Sequence, residues 1–107
     1  MKKIIGVCAC PAGIAHTYMA AESLERYGKK MGYEMKIETN GAGGVENRLE
    51  ETDIKNADCV IIAADTLVET DRFIGKPLIE TSVTEAVRNA GKIFEIIENN
   101  HVEIYKG

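Results

Sequence analysis

Two short stretches, Ile4-Ile5-Gly6-Val7-Cys8 and Cys59-Val60-Ile61-Ile62-Ala63-Ala64, are apolar at every position. A strand that is apolar on both parities is one buried on both faces, as in a parallel sheet with helices packed above and below. Lys3 to Cys8 therefore reads as a first strand and Cys59 to Ala64 as a third. Glu34 to Glu38 alternates instead, with Met35 and Ile37 pointing one way, which predicts a half-buried outer strand as the second. Arg72 to Ile79 holds a short fourth strand bounded by Gly75 and Pro77.

Helical spacing fills the intervals. Ala20, Leu24, Tyr27 and Met31 form one apolar stripe, predicting a helix from Thr17 to Met31 that Gly32 ends. Val45 and Leu49 are four apart and suggest a short helix over Val45–Glu51, after a flexible Thr39–Gly44 loop and before a connecting segment, Thr52–Ala57. Ser82, with Glu85 three residues on, marks another helix start. Gly91 predicts a kink or restart before Lys92–Asn99, and 101–107 is expected to be a tail free to fray.

Alternating strands and helices imply right-handed βαβ units. The expected fold is a single α/β domain over 1–107: three αβα layers around a doubly wound, four-stranded parallel sheet of order 2-1-3-4, with a phosphate-binding loop after strand 1. In such sheets ligands bind beyond the carboxyl ends of the strands. Cys10 onward, Asn40–Gly44 and Asp65-Thr66 should therefore gather at one edge.

Composition narrows the classes. With 107 residues, 45% hydrophobic and 28% charged, the chain can bury a core without staples. The net charge of −4, with both signs interspersed, argues against a nucleic-acid partner. No apolar run reaches the length of a bilayer span, so direct membrane insertion is not expected. The start, Met1 to Val7, lacks the longer apolar region and cleavage site of a signal peptide. Three cysteines without such a signal point to a reducing, cytoplasmic setting without structural disulfides.

The chemistry concentrates in Cys8-Ala9-Cys10-Pro11-Ala12-Gly13-Ile14-Ala15-His16-Thr17. Cys10 falls where a strand hands over to a helix, and Pro11, Ala12 and Gly13 let the backbone curl closely. The N–H groups of such a loop, with the positive helix end, make an anion site. The same field favours a thiolate. Cys59 and Cys8 read as buried structural thiols, and His16 either caps the helix or faces the site. A metal or redox sensor built on Cys8, Cys10 and His16 is one alternative, although the spacing lacks the paired C-x-x-C of common zinc sites. No nucleotide-binding glycine motif follows the first strand. A cysteine phosphatase is a sharper alternative: its C-x5-R loop ends on an arginine, but His16 holds that position here and the loop has no arginine. A histidine lacks the bidentate fork of a guanidinium, which favours holding and passing a phosphoryl group over hydrolysing it.

Cys10-Pro11-Ala12-Gly13-Ile14-Ala15-His16-Thr17 followed by Met19-Ala20-Ala21-Glu22 resembles the phosphorylation loop of the fructose-type enzyme IIB of the bacterial sugar phosphotransferase system. Lys36–Gly41, Asp58–Asp65 and Arg72–Pro77 look like that family's second, third and fourth strand regions, so the resemblance covers nearly the whole chain. Ala12 stands where the family loop has threonine, and Gly41-Ala42-Gly43-Gly44 varies a loop that usually contains Gly-Ser. The resemblance implies a phosphoryl carrier. Cys10 would be the catalytic nucleophile, taking the group from a phosphohistidine of enzyme IIA and passing it to fructose or a related sugar held by the membrane transporter, enzyme IIC. Pro11, Ala12, Gly13, Ile14, Ala15, His16 and Thr17 would hold the phosphoryl oxygens, His16 and Thr17 through side chains; Asp65 is a weaker candidate, because a carboxylate repels phosphate. The resemblance implies no metal and no cofactor.

Overall fold

The computed structural model describes residues 2–10, 14–41, 44–99 and 101–107, and no helix among them is long and apolar enough to cross a membrane. The chain runs β1 (Lys3–Ala9), α1 (Ile14–Lys30), β2 (Glu34–Gly41), β3 (Gly44–Glu46), α2 (Glu51–Asn56), β4 (Cys59–Ala64), a 3-10 turn (Asp71–Phe73), β5 (Leu78–Thr81), α3 (Val83–Arg88) and α4 (Ala90–Glu98). The sheet order is β3-β2-β1-β4-β5. β1 lies parallel to both β2 and β4, and β4 parallel to β5.

The sheet is thus five-stranded and mixed, not the four-stranded parallel sheet expected. The added strand is β3, antiparallel to β2, with Asn40 opposite Val45. It occupies the place where Val45–Glu51 was expected to be helical. Val45 is 45% exposed while Leu49 is buried, so the pair does not share a helix face. Asn47, at φ 55, breaks the chain between them, and the helix begins only at Glu51.

Side-chain alternation sorts the two cores. Ile4 and Cys8 of β1 and Cys59, Ile61 and Ala63 of β4 pack under α1, α3 and α4, against Leu24, Phe94 and their neighbours. Ile5 and Val7 of β1 and Val60 and Ile62 of β4 face the other way, onto Leu49, Ala57 and Phe73. That is the chemical sense of a strand apolar on both parities. Each fully buried side chain of this size is worth about 1.5–3 kcal/mol. At Gly6, an added Cβ would lie 2.8 Å from the Ile61 carbonyl oxygen, so the close approach of β1 and β4 requires glycine there.

Local signals resolve the rest. α1 starts earlier than expected, at Ile14, and ends at a Gly32 of φ 89, with the Tyr33 N–H donating to the Gly28 carbonyl. Ser82 Oγ accepts from the Glu85 N–H and opens α3. The helix break falls at Asn89 (φ −129, ψ 35) rather than Gly91. Gly91 lies inside α4, where a side chain would meet the Tyr27 hydroxyl. Arg72 and Phe73 belong to the 3-10 turn, and the fourth parallel strand begins after Pro77. The stretch expected to fray bonds to the segment leading into β5: Leu78 N–H to Glu103, Gly75 N–H to Tyr105, and Tyr105 N–H to Lys76.

Candidate functional site

Cys10 is the first residue beyond β1, 7% exposed, and part of the core cluster under α1. Its Sγ lies 3.9 Å from His16 Nδ1 and 3.9 Å from Asp65 Oδ2. These are loose contacts that bracket the sulfur between an imidazole and a carboxylate. His16 reaches it from the first turn of α1 and is otherwise exposed. Asp65 reaches it from the end of β4, where its own N–H donates to the Ala9 carbonyl at 3.0 Å. The other oxygen of Asp65, Oδ1, accepts from the Val83 N–H at 3.3 Å. Asp65 therefore ties the start of α3 to the cysteine.

Thr17 is 1% exposed and its Oγ1 is buried without a hydrogen-bond partner among the described residues. Native folds rarely leave such a hydroxyl unsatisfied, because it forfeits its bonds to water. Pro11, Ala12 and Gly13 lie outside the described residues, as do the side chains of Ile14 and Ala15.

The other two thiols differ in kind. Burial, with a smaller contribution from Glu25, pushes the Cys8 thiol up to about 12. Burial also pushes Cys59 up to about 11. Burial thus disfavours the thiolate at both near neutrality. All three cysteines are free.

Cys10 opens on a cleft of about 430 Å³ at the carboxyl edge of the sheet. Asn40 of β2 and Thr66 after β4 line it too, so three strand ends meet there as the strand–helix alternation predicts. Two further lining residues escape a sequence reading, Glu38 and Arg72. Glu38 is the polar position in an alternating strand and reads as solvent-facing. It is buried because β2 is an inner strand, covered at its edge by β3. Arg72 Nη1 and Nη2 donate to the two carboxylate oxygens of Glu38 at 3.0 and 2.7 Å. Neither residue carried an advance signal, because the expected strand order leaves the second strand at the sheet edge. The cleft rim carries Leu67, 99% exposed, and Val45.

The arrangement could hold an anion at sulfur: a thiol shortly before a helix, an imidazole beside it, and in the first helix turn a buried hydroxyl with no partner among the described residues. Comparison with known proteins shows the family. Residues 5–96 match the family model described as "PTS system, Lactose/Cellobiose specific IIB subunit". The chain is 46% identical over 99 residues to the PTS system fructose-like EIIB component 2 of Escherichia coli, covering 92% of this chain and 93% of that protein. It is 43% identical over 105 residues to the PTS system fructose-specific EIIABC component of Bacillus subtilis, covering 98% of this chain but only 16% of that longer protein. Among solved structures, a domain of the fructose-specific IIABC component of Borrelia burgdorferi superposes with a TM-score of 0.92 at 41% identity, covering 97% of this chain and 98% of that one.

Proposed function

The chain belongs to the IIB subunit family of the sugar phosphotransferase system, and from that premise we propose that it is a phosphoryl carrier with Cys10 as its acceptor. The Cys10 thiolate attacks the phosphorus of a phosphohistidine on enzyme IIA. The new S–P bond forms as the P–N bond breaks, and the imidazole leaves with the electron pair and takes up a proton. A sugar hydroxyl presented by the membrane component, enzyme IIC, then attacks the same phosphorus. The S–P bond breaks, the thiolate is regenerated, and the hydroxyl proton goes to solvent. The names of the relatives favour fructose or a related sugar, and the fused EIIABC relative favours a IIC partner. A cytoplasmic setting follows from the same reading.

The observation that carries this reading is the contrast among the thiols. Cys10 stands at the carboxyl-edge cleft with His16 of α1 beside it, while burial disfavours the thiolate of Cys8 and Cys59. His16 takes the role of a loop-borne donor to the phosphoryl group, and the Thr17 hydroxyl gains an acceptor when the backbone from Pro11 to Thr17 receives it. The raised thiol of Cys8 weighs against the metal or redox alternative, which needs it ionised. Leu67 and Val45 at the rim suit docking by protein partners in turn.

Incubation with phosphoenolpyruvate, the general phosphotransferase proteins and a IIA protein should add one phosphoryl group by intact mass, and Cys10→Ser should abolish it. An adduct that survives Cys10→Ser, or no adduct with any IIA of fructose type, overturns the proposal. Steady, Cys10-dependent release of phosphate from an aryl phosphate would favour a phosphatase instead.

A further inference from the structure

The ion pair in the cleft has no part in the carrier chemistry as described, yet its construction is unusual. Glu38 is 3% exposed at the side chain, and besides Arg72 it accepts the Leu49 N–H at 2.9 Å. Burial alone would raise its carboxyl, but the Arg72 bonds and the Leu49 N–H outweigh burial and hold it below the usual range. Arg72 also lies over the Phe73 ring, 4.8 Å from the centroid, and its Nε is buried with no partner among the described residues. A pair like this is a poor stabiliser. Desolvation offsets most of its attraction, and apolar replacements of similar volume are often as stable or more so. What a bidentate fork does supply is fixed geometry.

That geometry spans the cleft. Glu38 and Leu49 belong to the wall built from β2 and the segment after β3, while Arg72 belongs to the wall after β4. Thr70, two residues before Arg72, bonds the Tyr105 hydroxyl at 2.7 Å, which steadies the turn that carries the arginine. Cys10 lies between the walls.

We propose that Glu38 and Arg72 are positioning residues for phosphoryl transfer at Cys10, a strut that fixes the separation of the two cleft walls so that the partner's imidazole or hydroxyl reaches the sulfur in line. The inference rests on the carrier reading. Transfer depends on alignment to a fraction of an ångström, so a shifted wall lowers the rate of the chemical step more than it weakens docking.

The test uses the full chain with Arg72→Lys, Arg72→Met and the double variant Glu38→Met/Arg72→Met, measuring initial rates of phosphorylation against IIA concentration. The double variant removes both charges at once and leaves the Leu49 N–H without its acceptor, so it should fold with a modestly lower melting temperature than the parent's. It should nonetheless lose about tenfold or more in kcat with little change in KM for IIA. Arg72→Lys keeps the charge and loses the fork; it should fall with Arg72→Met, whereas a purely electrostatic role would leave it near the parent. A double variant with parental kcat and KM overturns the strut, as does full activity in Arg72→Lys. If the parent itself is not phosphorylated, the carrier reading fails and the strut falls with it, a result distinct from equal kinetics in parent and variant.

Discussion

Thr17→Val should stabilise the protein while impairing its reaction. Valine matches threonine in shape and replaces the hydroxyl with a methyl group. In the resting fold that hydroxyl is buried and bonds nothing among the described residues. A buried, unsatisfied polar group costs about 1–3 kcal/mol, so its removal should return about 1 kcal/mol or more. For a domain near this size that is a rise of roughly 4 °C or more in Tm, read by thermal denaturation followed by circular dichroism. The phosphoryl-loaded state should respond in the opposite sense. A hydrogen bond to a charged group is worth about 1.5–3 kcal/mol, which converts to about 10- to 100-fold in the rate of transfer to Cys10, read by rapid quench with phosphorylated IIA. Thr17→Ser gives the mirror image: the hydroxyl and the rate stay, and stability drops by about 1 kcal/mol for the lost methyl. The reasoning is refuted if Thr17→Val melts lower than the parent and transfers at the parental rate. The hydroxyl would then be satisfied in the resting fold and idle in the reaction.

Three other outcomes follow from the same structure. Iodoacetamide at pH 8 should label Cys10 in the folded protein and reach Cys8 and Cys59 only after denaturation, because burial holds those thiols near 12 and 11; because the unfolded thiols ionise near 9, stability should also fall as pH rises beyond that value, and equal labelling of all three cysteines in peptide mapping would contradict the burial argument. Asp53 is held well below the usual carboxylate range by Lys36 at 2.6 Å, the Glu50 N–H at 2.8 Å and Lys3 at 2.9 Å, so its contribution is present above about pH 4 and lost as pH drops below that; Asp53→Asn should lower the urea midpoint at pH 7 and flatten its decline below pH 4, and an unchanged slope would sink the assignment. Gly6→Ala should cost about 1–3 kcal/mol in urea denaturation, since the new methyl meets the Ile61 carbonyl at 2.8 Å and Ile37 Cδ1 at 2.9 Å; a neutral effect would mean that β1 and β4 separate freely.

How much of this was legible beforehand depends on how far apart the deciding residues lie in the chain. β1 and β4 could be read because burial on both faces leaves a local mark, an apolar run with no alternation. The candidate nucleophile stood out because Cys10, the small residues after it and His16 are consecutive or nearly so. β3 could not be read in this way. The four-residue spacing of Val45 and Leu49 is helical in form, but a long-range fact overrides it, the pairing of Val45 with Asn40 across a reversal. Glu38 and Arg72 are 34 residues apart, and each alone is an ordinary surface charge. Only the sheet order, which places β2 inside rather than at the edge, buries the carboxylate and obliges it to find a cation. The candidate thiol and the walls of its cleft are thus encoded differently. The first is a contiguous motif around Cys10. The second is a set of separate segments whose partners must change together, so a substitution at Glu38 should be tolerated only with a compensating one at Arg72.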